Sequence, residues 1–381
     1  MKVLTVLGTR PEGVKLAPVL RELKARGADA VQSPLCVTGQ HKEMLDQVLK
    51  VFRLRPDYDL AVETAEQSLT QVAASIMGRL DPILRREQPD WVLVQGDTTS
   101  VAAAALAGFY AGCKVGHVEA GLRSFDRHQP YPEEINRKVA SAIADLHFAP
   151  TNQARENLLR EGVPDANIRL TGNTVIDALQ WAAALPEPPE LTQLMASLGM
   201  SSDQGGVTGA PRLILVTAHR RENLGAPLQQ ICLAVRDLHE RYGDAIRMVF
   251  PVHLNPSVQE TVQRILGQVA GVHLIPPLDY LPLVHLLKHA SLVLTDSGGI
   301  QEEAPGFGVP VLVLRDTTER PEGVAAGIAR LIGTRRERIV VEAVRLLDDP
   351  TAYAAMAHAV NPYGDGLAST RIVAALLDTA P

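Results

Sequence analysis

The sequence has little of what would place it in several common classes. Its 381 residues include only three cysteines, Cys36, Cys113 and Cys232, far apart and without a CxxC pair. That excludes a disulfide framework and a thiolate zinc site, and it suits a reducing cytoplasm. Lysine and arginine number 37 against 43 aspartates and glutamates, a net charge of −6. The bulk positive field of a nonspecific nucleic-acid binder is therefore missing. The uncharged run 101–113 is too short and too rich in alanine for a membrane span. The first residues hold only about six apolar ones before Arg10 and no small-residue cleavage site, so a signal peptide is not expected. No Walker loop, GxGxxG, GxSxG elbow or EF-hand pattern occurs, and His117, His128 and His147 lack metal-ligand spacing. Gly and Pro, 29 and 26 residues, are near ordinary usage, which excludes collagen-like and low-complexity chains.

What is present is a core-forming pattern. Hydrophobic residues make up 46% and charged residues 21%, over a length that suits about two to three domains. Short apolar runs recur at Val3–Leu7, Trp91–Val94, Val115–Val118, Leu213–Val216, Met248–Phe250, Val272–Ile275, Leu292–Leu294 and Val309–Leu314. They are continuous rather than alternating, as in strands buried on both faces. Helical patterns lie between them. In Pro227–Tyr242, for example, Leu228, Ile231, Cys232, Val235 and Leu238 share a stripe. The series predicts α/β domains with parallel sheets. Turn formers gather between Leu185 and Arg212, so 1–185 and the part from 213 onward read as two doubly wound domains joined by a linker at 186–212. Ligands of such sheets bind beyond the carboxyl ends of the strands, which points to the segments after each run and to a cleft between the domains.

Those segments carry chemistry. After the first run, Thr9 and Glu12 have capping-box spacing and Pro11 suits a first turn, so a helix should start there with Arg10 and Lys15 near its positive end. That is equally a diphosphate site and an ordinary surface cap. Asp97 and Glu119 follow the second and third runs, and Glu133-Glu134 opens a helical pattern. Taken singly each acid has a capping role available, with Thr98 and Thr99 competing with Asp97. Together they suit general acid–base work on a neutral substrate. His219, flanked by Arg220 and Arg221, follows another run. Asp296-Ser297-Gly298-Gly299 precedes a helix that Asp296 or Ser297 should cap, with glycines that admit a ligand to the backbone.

These segments, together with Thr171-Gly172-Asn173-Thr174, Arg315–Glu322 and Asn361–Gly366, resemble one family along essentially the whole chain: the bacterial non-hydrolysing UDP-N-acetylglucosamine 2-epimerases. The resemblance implies two Rossmann-like domains of glycosyltransferase-B type, the second at 213–362, with a C-terminal helix at 363–381 packing back on the first. It implies reversible epimerisation between UDP-N-acetylglucosamine and UDP-N-acetylmannosamine by elimination of UDP to a bound glycal and re-addition. It further implies a cytoplasmic homodimer that uses no cofactor and no metal, binds neither nucleic acid nor membrane, and supplies envelope polysaccharides. Carried over by position, Asp97, Glu119, Glu133 and His219 look catalytic. Arg10, Lys15, Ser297, Gly298, Gly299, Glu303 and Arg320 look substrate-binding. A hydrolysing epimerase, a glycosyltransferase and an inactive UDP-sugar sensor share parts of this equipment. The motif set favours the non-hydrolysing group over the hydrolysing one, and the full acid set argues against the transferase and the sensor.

Family members can also bind an activating second substrate molecule, and Gln40, Arg220 and His253 match that site. Glu43 stands there in place of a glutamine, and Glu66 about where an arginine is expected. Two added carboxylates repel a diphosphate. The expected outcome is a hyperbolic dependence of rate on substrate concentration; a sigmoidal curve counts against it.

Overall fold

The computed structural model describes residues 1–39, 42–62, 67–200 and 211–379, without the side chains of 42–44. Gln40, Glu66 and the Glu43 side chain therefore lie outside the described residues. Contacts group the chain into two units, Met1–Trp181 with Tyr363–Pro381, and Ala182–Pro362.

The first unit is built on seven parallel strands: β1 (Val3–Leu7), β2 (Leu35–Val37), β3 (Tyr58–Asp59), β4 (Trp91–Gln95), β5 (Lys114–Val118), β6 (Leu146–Ala149) and β7 (Ile168–Leu170). Their order is β3-β2-β1-β4-β5-β6-β7. Every residue of β1 and β4 is buried, because helices cover both faces of the sheet. The helix Thr99–Tyr110 packs closest; its Gly108 lies so near Val92 that an added Cβ would sit 3.0 Å from that side chain.

The second unit repeats the plan with six parallel strands, β8 (Arg212–Thr217), β9 (Ile246–Pro251), β10 (Val272–Ile275), β11 (Ala290–Thr295), β12 (Val311–Val313) and β13 (Ala329–Leu331). Their order is β10-β9-β8-β11-β12-β13. The helix Ala226–Tyr242 buries Leu228, Ile231, Cys232, Val235 and Leu238, the stripe read from the sequence. In each sheet the strand order reverses once, between β1 and β4 and between β8 and β11, and loops diverge there to leave a crevice. The expected fold class, two Rossmann-like doubly wound units, is what the chain adopts. Among the described residues no helix is long and apolar enough to cross a membrane.

The stretch read as a linker needs correction. It contains the helix Pro189–Ser197, with Leu191 and Met195 buried, and Arg247 donates to the Leu198 carbonyl at 3.2 Å. Leu191, Met195 and Leu198 are spaced by four and three residues and form one apolar stripe. The prolines before it start the helix rather than break it.

The helix Ala368–Asp378 belongs to the first unit. Its Leu376 packs over Gly116 of β5, where an added Cβ would meet it at an ordinary contact distance of 3.8 Å but would crowd Leu93 at 3.0 Å and Phe148 at 3.3 Å. Asp177, on the helix Thr174–Ala183, caps its start by accepting from the Ala368 N–H at 3.3 Å, the Ser369 N–H at 2.8 Å and the Ser369 hydroxyl at 2.6 Å. Replacing Asp177 by Ala strands these donors and is expected to cost about 1–3 kcal/mol. Thermal unfolding and limited proteolysis of the C-terminal helix check this. Ser369→Ala, which keeps both backbone bonds, should cost less; an unchanged midpoint in Asp177→Ala would show the clamp to be idle.

Candidate functional site

At the switch point of the first unit, the loop after β1 leads into the helix Arg10–Ala25. Gly8 admits no side chain, since a Cβ would meet the Ser100 hydroxyl at 2.4 Å and the Thr38 hydroxyl at 2.6 Å. Thr9 holds the N-cap position, but its side chain does not cap. The reciprocal box is replaced by a network centred on Glu12. The buried Glu12 carboxyl accepts from the Gly8 N–H at 2.7 Å, the Thr9 hydroxyl at 2.9 Å and the Thr98 hydroxyl at 2.8 Å. It thus joins the loops that follow β1 and β4. Burial pushes its pKa up to about 7, against the pull of Gly8, Thr98 and Thr9 and with a small push from Asp97.

The acids beyond the strand ends differ in their surroundings. Asp97, half-buried, ion-pairs with Arg137, while its carbonyl accepts from Asn136 at 2.9 Å. Thr98, not Asp97, caps the next helix. Glu119 sits just past β5 with φ 63°, a left-handed conformation that costs about 1–2 kcal/mol for a residue with a Cβ. Its Oε1 takes Lys15 and, at 3.3 Å, the Asn173 amide; its Oε2 takes Gln95. Lys15, expected beside a diphosphate, is thus a charge partner of Glu119. Two residues on, Gly121 has φ 89°, and a Cβ there would run into the Ala154 carbonyl at 2.2 Å.

Glu133 and Glu134 open the helix Glu133–Ile143 as expected, yet part company. Glu134 is fully buried and accepts from the Ser124 and Phe125 N–H groups at 3.0 and 3.2 Å. Glu133 is half-buried, and its Oε2 is shielded from solvent with no hydrogen-bond partner among the described residues. Arg10 is half-buried at the first helical position. His117 and His147 are register neighbours in β5 and β6; burial pushes both down to about 4, so they are neutral core groups.

At the switch point of the second unit, Asp296 does not cap a helix. It is fully buried, and its Oδ2 accepts from the His219 N–H and Arg220 N–H at 2.8 Å each and from the Asn223 amide at 2.9 Å. Asn223 also donates to the Leu314 carbonyl at 3.0 Å. One carboxylate thereby ties the loops after β8, β11 and β12. His219 stacks on His253, ring centroids 5.4 Å apart and planes at 6°. Desolvation holds the His219 pKa below the ordinary value; Asp296 opposes this, and Arg220 and His253 add to it. The Arg220 Nε is buried without a hydrogen-bond partner among the described residues.

Ser297 precedes the helix Gly298–Glu303 without a side-chain cap bond; this helix has only six residues and continues as a 3-10 turn over Ala304–Phe307. Gly298 lies beneath Arg320, whose guanidinium carbon would be 3.4 Å from an added Cβ, and Gly299 faces open space. Arg320 donates to Glu302 at 2.8 Å, and Glu303 is buried beside it in sequence. Each unit thus gathers its own share of the expected residues: Arg10, Lys15, Asp97, Glu119 and Glu133 in the first, His219, Arg220, His253, Ser297, Gly298, Gly299, Glu303 and Arg320 in the second. Sequence reasoning missed the supporting groups Gln95, Arg137, Asn173 and Asn223. Gln95, a polar residue closing a buried apolar run, was the most visible of them.

A protein-family profile described as UDP-N-acetylglucosamine 2-epimerase matches residues 21–377. A UDP-N-acetylglucosamine 2-epimerase of Escherichia coli K12 is 52% identical over 380 residues, 99% of this chain and 98% of that protein. The crystal structure of the UDP-GlcNAc 2-epimerase from Neisseria meningitidis bound to UDP-GlcNAc superposes with a TM-score of 0.87 at 46% identity, covering 100% of both chains. That of the Methanocaldococcus jannaschii enzyme in complex with UDP-GlcNAc and UDP gives 0.77 at 32% identity, covering 99% of each.

The Glu12 network carries a pH signature. Its folded-state pKa lies above its unfolded value, so its contribution to stability is full below about 4.5 and lost as pH rises through about 7. The span amounts to about 3 kcal/mol at most. Glu12→Gln, which cannot ionise, should gain in melting temperature relative to the wild type between pH 5 and pH 8. A difference that stays flat across that range contradicts the assignment.

Proposed function

The chain belongs to the UDP-N-acetylglucosamine 2-epimerase family, and from that premise we propose that it inverts carbon 2 of UDP-N-acetylglucosamine by eliminating and re-adding UDP. It is an isomerase. The hydrogen on carbon 2 is not next to a carbonyl, so direct deprotonation is costly. Elimination avoids this. The C1–O bond breaks, its electron pair leaves on the UDP diphosphate, and a carboxylate takes the carbon-2 proton, giving a bound glycal. Re-addition of UDP with protonation on the opposite face of carbon 2 gives UDP-N-acetylmannosamine.

The observation that carries this reading is the contrast among three acids that follow β4 and β5: Asp97 paired to Arg137, Glu119 gripped by Lys15 and two amides, and Glu133 with an oxygen that has no partner among the described residues. Carboxyl groups in such different settings suit the separate tasks of taking and returning a proton. Arg10, Lys15, His219, Ser297, Gly298 and Gly299 are assigned to the diphosphate, whose charge grows as the bond breaks, Glu303 to the ribose and Arg320 to the nucleotide site. Arg220 and His253 match the family's second, activating site, whose occupancy Glu43 and Glu66 are expected to weaken. The same premise carries a cytoplasmic homodimer that supplies precursor for envelope polysaccharides.

Proton NMR of UDP-N-acetylglucosamine with enzyme in deuterated water tests the mechanism. Deuterium should enter at carbon 2 as UDP-N-acetylmannosamine appears, without free sugar. Glu133→Gln should slow the exchange by about 100-fold or more. Free N-acetylmannosamine with UDP would mark a hydrolysing enzyme, and absence of exchange would rule out elimination.

A further inference from the structure

We propose that Asn173 positions the carboxylate of Glu119, and that it does so from the place where the returning C-terminal segment seats on the first unit. The inference rests on the reading of Glu119 as one of the acids at carbon 2.

Asn173 is 3% exposed and stands just before the helix Thr174–Ala183. Its Oδ1 accepts from the Val175 N–H at 3.0 Å. Only an oxygen can accept there, which fixes the amide's orientation and turns its Nδ2 toward Glu119 Oε1, 3.3 Å away. The backbone N–H of the same residue donates to the carbonyl of Tyr363 at 2.6 Å. Tyr363 is the first residue of the chain after it re-enters the first unit. The neighbouring backbones touch: a Cβ on Gly172 would lie 3.4 Å from the Gly364 Cα, and one on Gly364 would lie 3.5 Å from the Asn173 nitrogen. Both glycines have positive φ, 86° and 133°. Asn173 is thus fixed by the helix it starts and by the segment it receives.

Glu119 needs such an anchor. Its Oε1 also binds Lys15, but an ammonium on a flexible stem follows a carboxylate rather than aims it. The two amides are planar and rooted in rigid elements: Gln95 at the end of β4 holds Oε2, and Asn173 holds Oε1. Together they bracket the carboxylate. Only Asn173 also bonds the returning segment through its own backbone.

Asn173→Ser separates positioning from packing. Serine keeps an oxygen for the backbone N–H groups of the helix start, but it brings no amide donor to Glu119. The expected result is a fall in kcat of about tenfold or more, with KM and calorimetric UDP affinity within about twofold. Asn173→Ala, which loses both bonds, should lose kcat and melt lower than Asn173→Ser. Wild-type kcat in Asn173→Ser overturns the proposal, as does a loss confined to melting temperature. Glu119→Gln is measured beside them: full carbon-2 exchange in that variant would remove Glu119 from the chemistry, a failure of the underlying reading that is visible whatever Asn173 does.

Discussion

A carboxylate without water around it must be surrounded by donors, and each unit joins the loops of its switch point around one such group. In the first unit it is Glu12, which receives Gly8, Thr9 and Thr98. In the second it is Asp296, whose Oδ2 receives the His219 and Arg220 N–H groups and Asn223, while its Oδ1 has only the His219 ring, 3.5 Å away and not hydrogen-bonded, among the described residues. Strand order creates a crevice at both points, but a crevice between free loops has no fixed geometry. The buried carboxylates convert loop backbones into rigid walls, and the groups beside them inherit that rigidity. Arg10 follows the Gly8-Thr9 turn, and His219 stands on the very N–H that Asp296 holds.

The exposed chemistry is arranged on this frame by unequal treatment of similar side chains. Glu133 and Glu134 are adjacent and share a helix start, yet only Glu134 is saturated with backbone donors. One secures the loop before it, and the other keeps an oxygen in reserve. Glu119 is treated differently again, with a left-handed backbone and donors on both oxygens. Strain of this kind persists only where surroundings over-determine a residue, and here Gly121, Gln95 and Asn173 supply that constraint.

Much of this was legible in the residues. The central strands β1, β4, β5, β8 and β11 have five or six residues each and are mostly apolar, and their ends located the acids, His219 and the glycine pair. The strands β2, β3, β7 and β13, at or next to the sheet edges, have two or three residues each, too few to show a period. The helix Pro189–Ser197 was hidden by the prolines that start it. Within the site, the charged residues were visible as types, but their pairings were not. Lys15 and Arg137 bond acids far away in sequence, 104 and 40 residues off. Asp296 was read as a helix cap from its local neighbours, because its true donors lie 73 to 77 residues back.

The clamp of Asp177 on the helix Ala368–Asp378 bears on the order in which the protein is made. The ribosome completes the sequence of the first unit's sheet early, at β7. Yet the helix that packs over Gly116 emerges only after the whole of the second unit. Until then Asp177 has no Ala368 or Ser369 to receive, and Asn173 has no Tyr363 carbonyl to hold. The first unit, begun before the second, is therefore finished after it. The setting of Glu119 is complete only once the chain has been made past Tyr363, so a nascent chain cannot display that setting ahead of its second unit.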